Sequence, residues 1–482
     1  MRPSYLGKIL LRWCDSCHTP VMSRQCACGA FTREVPVTPP GDARPAFKYD
    51  IDLVNRVFSD HFGTPLIPPG HIALLNKVPD PDRMEEIVVA GAVVGSLRYM
   101  PEKRAWEPIP RPEAAALLKP TKRFVIVDDG AKKSLMEGAS VLRPGLVHID
   151  PSVRAGDEVF VFTRSGECAG VGRAKVDAST AESMERGALV RTRRNVRSEV
   201  IPGAATWEDA VRANAIVLEK AEAASVQFIH EVTERNSLPV NVSFSGGKDS
   251  LATLLVVMKA IGKVPILFAD TGLEFPETYE CVEKTIQHYG LTAVRCSGEQ
   301  EFWETFARQG PPAVDYRWCC SVCKLKPVKR LIAEEWGECL SFIGQRKYES
   351  FKRATSNRVW RNSNVRNQLS AAPIQNWTAM HVWLYIFQEK GPYNVLYTQG
   401  LDRIGCFMCP SSDIAVLEEI GNMHPGLMQS WCDRLEEWRK THGLPLEWTT
   451  ESRWRKKDQG AVVPVSGRGN GGEVADEEDS DC

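Results

Sequence analysis

The chain has 482 residues, 43% of them hydrophobic, and a formal net charge of −1, so it can bury the cores of several domains. It contains no run of eighteen or more apolar residues, and its first residues show no apolar stretch ahead of a small-residue cleavage site. A membrane-spanning or exported protein is therefore not expected. In a cytoplasmic chain, the fifteen cysteines point to metal or redox chemistry before disulfides.

Residues 1–35 contain the stretch WCDSCHTPVMSRQCACGA. Cys14 and Cys17 form C-x2-C, and Cys26 and Cys28 form C-x-C. Four thiolates on two tight turns can close a tetrahedral structural zinc site with no open position. A segment this short has little core, so a metal would supply its folding energy. It resembles a small zinc ribbon, with His18 as a surface residue beside it. Residues 36–45 are Pro-rich and read as a linker. Residues 46–118 read as a mixed α/β module, in which EEIVVAGAVVGSLRY predicts a hairpin with Gly91 or Gly95 in the turn.

Residues 119–200 read as short strands with frequent glycines, RFVIVDD, LVHID, DEVFVFT and CAGVGRAKV, which predict a small β-barrel. The glycines and the AGD turn, in their order, resemble the PUA domain, an RNA-binding module. That resemblance implies RNA as a partner, with Lys122, Arg123, Lys132, Lys133 and Arg143 available to phosphates. The basic stretch RTRRNVRSEV either extends that surface or is a solvated linker. A scaffold barrel that no longer binds RNA is the alternative. Residues 205–236 predict a long, alanine-rich connecting helix.

From residue 237 to 425 the strands VNVSF, VPILFAD, TAVRCS and CLSFIGQ alternate with helical stretches. Alternation at this spacing predicts crossover connections and a parallel sheet, with ligands at the carboxyl ends of the strands. A helical segment follows over 426–460. Residues 461–482 are Gly-rich and acidic and are expected to be disordered. The predicted fold is thus multidomain α/β, with a parallel-sheet domain behind a zinc ribbon and a small β-barrel.

The chemistry starts at SFSGGKDS. Gly246 and Gly247 allow a tight strand-to-helix turn that exposes backbone N–H groups at the positive end of the following helix, an anion site. Lys248 adds a mobile charge, and Ser245 and Ser250 add hydroxyls. The Walker A spacing is missing. Asp270 ends the next strand in LFADTGLEFPETYE and could face a nucleotide or its Mg2+, or else Asp270 or Thr271 caps a helix. After another strand, Arg346, Lys347, Lys352 and Arg353 could clamp phosphate or sulfate, the arginines best. Lys347 and Lys352 read as an exposed face. Cys319 and Cys320 in YRWCCSVCK, with Cys406 and Cys409 in RIGCFMCP, could hold an iron–sulfur cluster or zinc. Cys323 offers a rival C-x2-C with Cys320.

SFSGGKDS resembles the PP-loop of the adenine-nucleotide alpha-hydrolase-like families. Together with DTGLEFPETYE, RWCC, GQRKYES, PIQNWTAMHVWLYI and GPYNVLYTQGLDRIGCFMCP, it resembles the PAPS/APS reductase family over about residues 240–412. The resemblance implies a [4Fe–4S] cluster on Cys319, Cys320, Cys406 and Cys409. It implies nucleotide binding by Ser245, Gly246, Gly247, Lys248, Asp249, Ser250, Asp270, Arg346 and Arg353, with Lys248 and Arg346 catalytic. Trp377, Trp383, Tyr385 and Tyr393 read as core around the cluster loop.

The family's Glu-Cys-Gly-x-His tail is absent. Cys482, at the end of the acidic tail, is taken as the catalytic thiol, with Cys323 and Cys432 as alternatives. The leading expectation is an enzyme acting on PAPS or APS in sulfur metabolism, served by a reductant such as thioredoxin or ferredoxin. The alternatives are an ATP-dependent RNA-modifying sulfurtransferase, with Mg2+ accompanying ATP, and a non-catalytic Fe–S protein that binds RNA.

Overall fold

In the computed structural model, which describes residues 9–193 and 198–457, the chain builds four β-sheets. The first is a small antiparallel sheet of β1 (Arg12–Cys14), β2 (Thr19–Val21) and β3 (Arg33–Glu34). Cys14, Val21 and Cys26 form a small core with Ala213, whereas Trp13 belongs to the main core. The stretch read as a linker is ordered, because β4 (Arg44–Pro45) pairs with β5 (Ala73–Lys77).

Between these strands lies α1 (Lys48–Phe62), and β6 (Met84–Val89), β7 (Ala92–Met100) and β8 (Ala105–Pro110) complete a five-stranded antiparallel sheet. The expected hairpin is β6–β7. Ala90 and Gly91 turn it with φ of 51° and 74°, the positive pair a tight hairpin demands. Gly95 lies in β7, where a Cβ would meet the Ile109 carbonyl at 2.9 Å. Leu53, Val54, Phe58 and Phe62 bury one face of α1 on this sheet.

The third sheet is formed by β9 (Phe124–Val127), β10 (Val141–Leu142), β11 (Leu146–Ile149), β12 (Glu158–Thr163), β13 (Cys168–Ala174) and β14 (Ala188–Thr192), in the order β10-β14-β13-β12-β9-β11. The short helices α2 (Lys132–Met136) and α3 (Ala178–Ser183) complete it. Phe160 of β12 meets Phe62 of α1 edge to face at 4.9 Å, so the two modules share a core.

The connecting helix is broken at Asn214 into α4 (Trp207–Ala213) and α5 (Ala215–Arg235). The Asn214 amide donates to the Pro20 carbonyl at 2.9 Å and accepts from the Met22 N–H at 2.8 Å, which docks the cysteine-bearing segment at the break.

The last sheet has the order β17-β16-β15-β18-β20-β19, from β15 (Val240–Ser243), β16 (Ile266–Asp270), β17 (Ala293–Ser297), β18 (Cys339–Ile343), β19 (Val359–Asn362) and β20 (Val365–Ala371). All neighbours are parallel except the edge pair β19–β20, a hairpin that the sequence reading missed. Its helices are α6 (Lys248–Ile261), α7 (Pro276–Tyr289), α8 (Glu299–Gln309), α9 (Trp318–Cys320), α10 (Lys326–Glu335), α11 (Phe351–Thr355) and α12 (Ala379–Glu389). The helical end consists of α13 (Ile414–Met423), α14 (Pro425–Thr441) and α15 (Glu447–Thr450).

Strand order runs outward in opposite directions from β15 and β18, which opens a crevice at their carboxyl ends. Leu251, Val256, Phe244, Phe342 and Trp383 belong to the main core, whereas Leu331, Ile332, Cys339 and Val365 belong to a smaller one. An aromatic core of Phe302, Phe306, Trp318, Trp431, Trp448 and Trp454 surrounds the cysteine loops.

Polar contacts lock the second sheet to this domain. Lys77 pairs with Asp413 at 2.6 Å, Arg83 donates to the Gly400 carbonyl, and Asp82 accepts from the first N–H groups of α13. Among the described residues no helix is long and apolar enough to cross a membrane. Cys482 and the acidic stretch 461–482 lie outside the described residues.

Candidate functional site

The Gly-Gly loop leaves β15 and enters α6 at the switch in strand order. Gly246 has φ +74°, and a Cβ there would sit 3.1 Å from Thr278. Ser245 is exposed, while Lys248 is buried. The Lys248 N–H donates to the Tyr397 hydroxyl at 2.9 Å, and the Ser250 hydroxyl donates to the Gly247 carbonyl at 2.8 Å. The loop is therefore braced from behind.

Lys248 and Arg346 are not free cations. Lys248 Nζ lies 2.7 Å from one oxygen of Asp249, and Arg346 Nε lies 2.6 Å from the other. Arg346 Nη1 reaches Asp42, from the stretch read as a linker, at 2.8 Å. Burial pushes the Asp249 carboxyl up, but Arg346 and Lys248 outweigh it and hold it at about 2. Burial pulls Arg346 down, and Asp249 and Asp42 more than reverse this. Gly344 lets the two loops touch, since a Cβ would be 2.6 Å from the Asp249 backbone. Arg353 pairs with Glu349 at 2.7 Å on α11, Lys352 is exposed, and Lys347 lies over the Tyr348 ring.

Asp270, at the end of β16, accepts from the Gly272 N–H at 2.8 Å and from the Tyr279 hydroxyl at 2.7 Å. Neither Asp270 nor Thr271 caps α7, whose flanking residue is Phe275. The turn brings Thr271 to Glu274 at 2.9 Å and to Cys406 Sγ at 3.5 Å. Burial, opposed by Thr271 and Lys324, raises Glu274 to about 7.

Cys319 and Cys320 stand 4.0 Å apart at the end of α9, ahead of a wider π-type turn over Ser321–Leu325. Cys409 is a near neighbour of both Cys319 and Cys406, so the two cysteine pairs converge. The buried Cys323 donates to the Cys319 carbonyl at 2.7 Å and neighbours Cys406. Burial pushes Cys319 to about 11, Cys323 to about 12 and Cys406 well up, so cluster binding at this site must displace protons. Cys320 is disulfide-bonded, and assembly of a cluster there starts from its reduced thiol. With Cys320 reduced, four cysteines on two loops would offer the ligand set of an iron–sulfur cluster, with Cys319 and Cys406 packed against the aromatic core. Trp377, Trp383 and Tyr385 are buried in the adjacent main core, and Tyr393 packs against it.

One segment joins the two features. Tyr397 braces the Gly-Gly loop, and the same strand-free stretch continues to Cys406 and Cys409, with the Phe407 N–H on the Leu273 carbonyl at 2.9 Å.

The N-terminal cysteines form a separate centre. Sγ atoms of Cys14, Cys17, Cys26 and Cys28 all lie within 4.8 Å of one another, with Cys14–Cys28 at 3.7 Å and Cys17–Cys26 at 3.8 Å. A tetrahedral ion with metal–sulfur bonds of about 2.3 Å requires sulfur edges of about 3.8 Å, so the set can hold a metal of that size. His18 packs on Gly203 instead of joining them.

On the barrel, several residues expected to meet phosphates are already engaged. Arg123 pairs with Asp157, Lys132 with Glu167, and Arg143 donates to the Glu182 carbonyl.

Residues 239–412 match the phosphoadenosine phosphosulfate reductase domain family, and residues 123–196 match the PUA domain. The Methanocaldococcus jannaschii protein named Uncharacterized protein MJ0066 is 39% identical over 477 residues, covering 94% of this chain and 98% of its own. The chain belongs to this family. This chain joins a PAPS/APS reductase-family domain to a PUA domain. A second protein of that organism, MJ0973, is 30% identical over 86% of this chain and 95% of its own. The adenosine 5′-phosphosulfate reductase of Staphylococcus epidermidis is 27% identical over 37% of this chain and 72% of its own.

In this member of the MJ0066 family, sequence reasoning missed Asp42, Glu274, His381 and Tyr397. Glu274 and Tyr397 lie inside motifs of the reductase-like domain, where their position was the available signal. Asp42 gave none, because only folding carries it across to Arg346.

Proposed function

We propose that the protein binds an adenine sulfonucleotide on residues 245–250 and reduces it beside a [4Fe–4S] cluster on Cys319, Cys320, Cys406 and Cys409. The observation supporting this reading is the single stretch whose Tyr397 braces the anion loop, whose Cys409 neighbours Cys319 and whose Cys406 neighbours Cys323. Backbone N–H groups at the start of α6, with Lys248, would hold the phosphate. Arg346, fixed by its carboxylates, would direct its charge at the sulfonate. An iron–sulfur cluster, when bound, supplies a charge-dense, redox-tunable group.

In the reaction, a thiolate attacks the sulfonate sulfur. The S–O bond to the nucleotide breaks, and the nucleotide leaves with the electron pair. A second thiol, from this chain or from a dithiol reductant, then forms a disulfide with the attacking sulfur and releases sulfite. Cys482 is the proposed attacker, and Cys323 is the described thiol nearest the cluster cysteines. Four cysteines of the N-terminal segment would bind structural zinc.

The PUA match supports a second reading, an ATP-dependent RNA-modifying enzyme. One anaerobic assay on the iron-loaded full chain separates the two. ATP, APS and PAPS are supplied singly with a dithiol, with and without bulk transfer RNA. Sulfite from APS or PAPS without RNA is the expected result. AMP or pyrophosphate from ATP only when RNA is present would replace the first reading by the second.

A further inference from the structure

We infer that Asp42, from the stretch between the cysteine-bearing segment and α1, is a positioning residue of the nucleotide site, acting through Arg346. The inference rests on the nucleotide-binding role proposed above for residues 245–250. The Asp42 carboxylate divides its two oxygens between two elements of the reductase-like domain. Oδ2 lies 2.8 Å from Arg346 Nη1, and Oδ1 accepts from the Ala379 N–H, the first residue of α12, at 2.6 Å. Arg346 is 3% exposed and takes Asp249 on its other side. A buried guanidinium held by two carboxylates cannot swing, and a planar donor fixed in this way directs its remaining N–H groups in set directions.

The delivery of Asp42 is built into the preceding chain. Gly41 has φ +77°, and a Cβ there would meet Val37 at 2.9 Å and the Ile9 carbonyl at 3.1 Å. The Ile9 N–H donates to the Pro40 carbonyl at 2.9 Å, and Thr38 is held through its N–H and hydroxyl by Glu86 of β6. On the far side, Arg44 enters a buried cluster with Asp50 and Glu85. The stretch 36–45 is thus a strap pinned at both ends, and its only carboxylate reaches the switch point of the parallel sheet. The N-terminal modules thereby complete a site that the reductase-like domain does not complete alone.

The test is equilibrium binding of a fluorescent AMP analogue to the full chain. Asp42→Asn keeps an acceptor for the Ala379 N–H and removes both the negative charge and the acceptor that face Arg346. Affinity is expected to fall about tenfold or more, with zinc content and melting temperature close to wild type. In an Arg346→Lys background, whose single ammonium cannot span both carboxylates, the same change should add less than about twofold, because coupled residues are non-additive. Asp42→Glu should recover part of the loss. Unchanged affinity in Asp42→Asn, or equal losses in both backgrounds, would overturn the inference. Tighter binding would also overturn it, since the carboxylate would then compete with the nucleotide. Failure of the wild-type chain to bind any adenine nucleotide would instead remove the functional reading beneath it.

Discussion

Acidification should weaken the fold through His381, a buried ring close enough to Arg346 and Asp42 for both to act on its charge. His381 is the third residue of α12, and its Nδ1 lies 2.8 Å from the Thr378 hydroxyl and 3.3 Å from the Thr378 N–H, closing a capping box. The ring accepts there only while neutral. Burial lowers its pKa from 6.5 to about 4, with Arg346 pushing the same way and Asp42 opposing. The folded value is depressed, so the fold favours the neutral ring. Stability is complete above pH 6.5 and is lost as pH falls towards 4. At pH 4.5 the two values correspond to about 2.5 kcal/mol, trimmed to about 2 kcal/mol by the ring's partial exposure. His381→Gln keeps a capping acceptor but does not titrate. Urea melts at pH 7.5 and 4.5 should show wild type losing about 2 kcal/mol more than the variant between the two conditions. Parallel losses in both proteins would refute the assignment, because all other titrating groups are shared.

Replacing Cys406 by Ala should remove most iron and sulfide from anaerobically reconstituted protein while leaving the zinc, read by metal analysis and visible absorption; full iron retention would sink the ligand set. Cys17→Ser, or treatment with a strong chelator, should release about one zinc per chain and lower the melting temperature, because the small first sheet has little other interior to hold it. Gly246→Ala places a side chain at φ +74° and 3.1 Å from Thr278, so it should cost about 1–2 kcal/mol of stability and reduce nucleotide affinity at least tenfold. Wild-type affinity in that variant would show that the loop is not where the nucleotide sits.

Local pattern made much of this protein legible from sequence. The strand–Gly-Gly–helix junction, the alternation that builds a parallel sheet and the short strands of the barrel all depend on neighbours close in the chain. The four N-terminal cysteines come together as their spacing predicted, because two tight turns leave their sulfurs few places to go. What sequence could not supply was the pairing of charges. Arg346 reads as a clamp for phosphate or sulfate, yet it is buried between Asp249 and Asp42, which lie far away along the chain. The basic residues of the barrel read as phosphate contacts, yet Arg123 and Lys132 already have carboxylate partners. The connecting helix is periodic through residue 214, and it breaks because Asn214 is recruited by the Pro20 and Met22 backbone. Hydrophobic periodicity and turn chemistry are properties of a short segment and survive in its sequence. Which carboxylate neutralises which buried cation depends on chain crossings, and only the tertiary structure decided those.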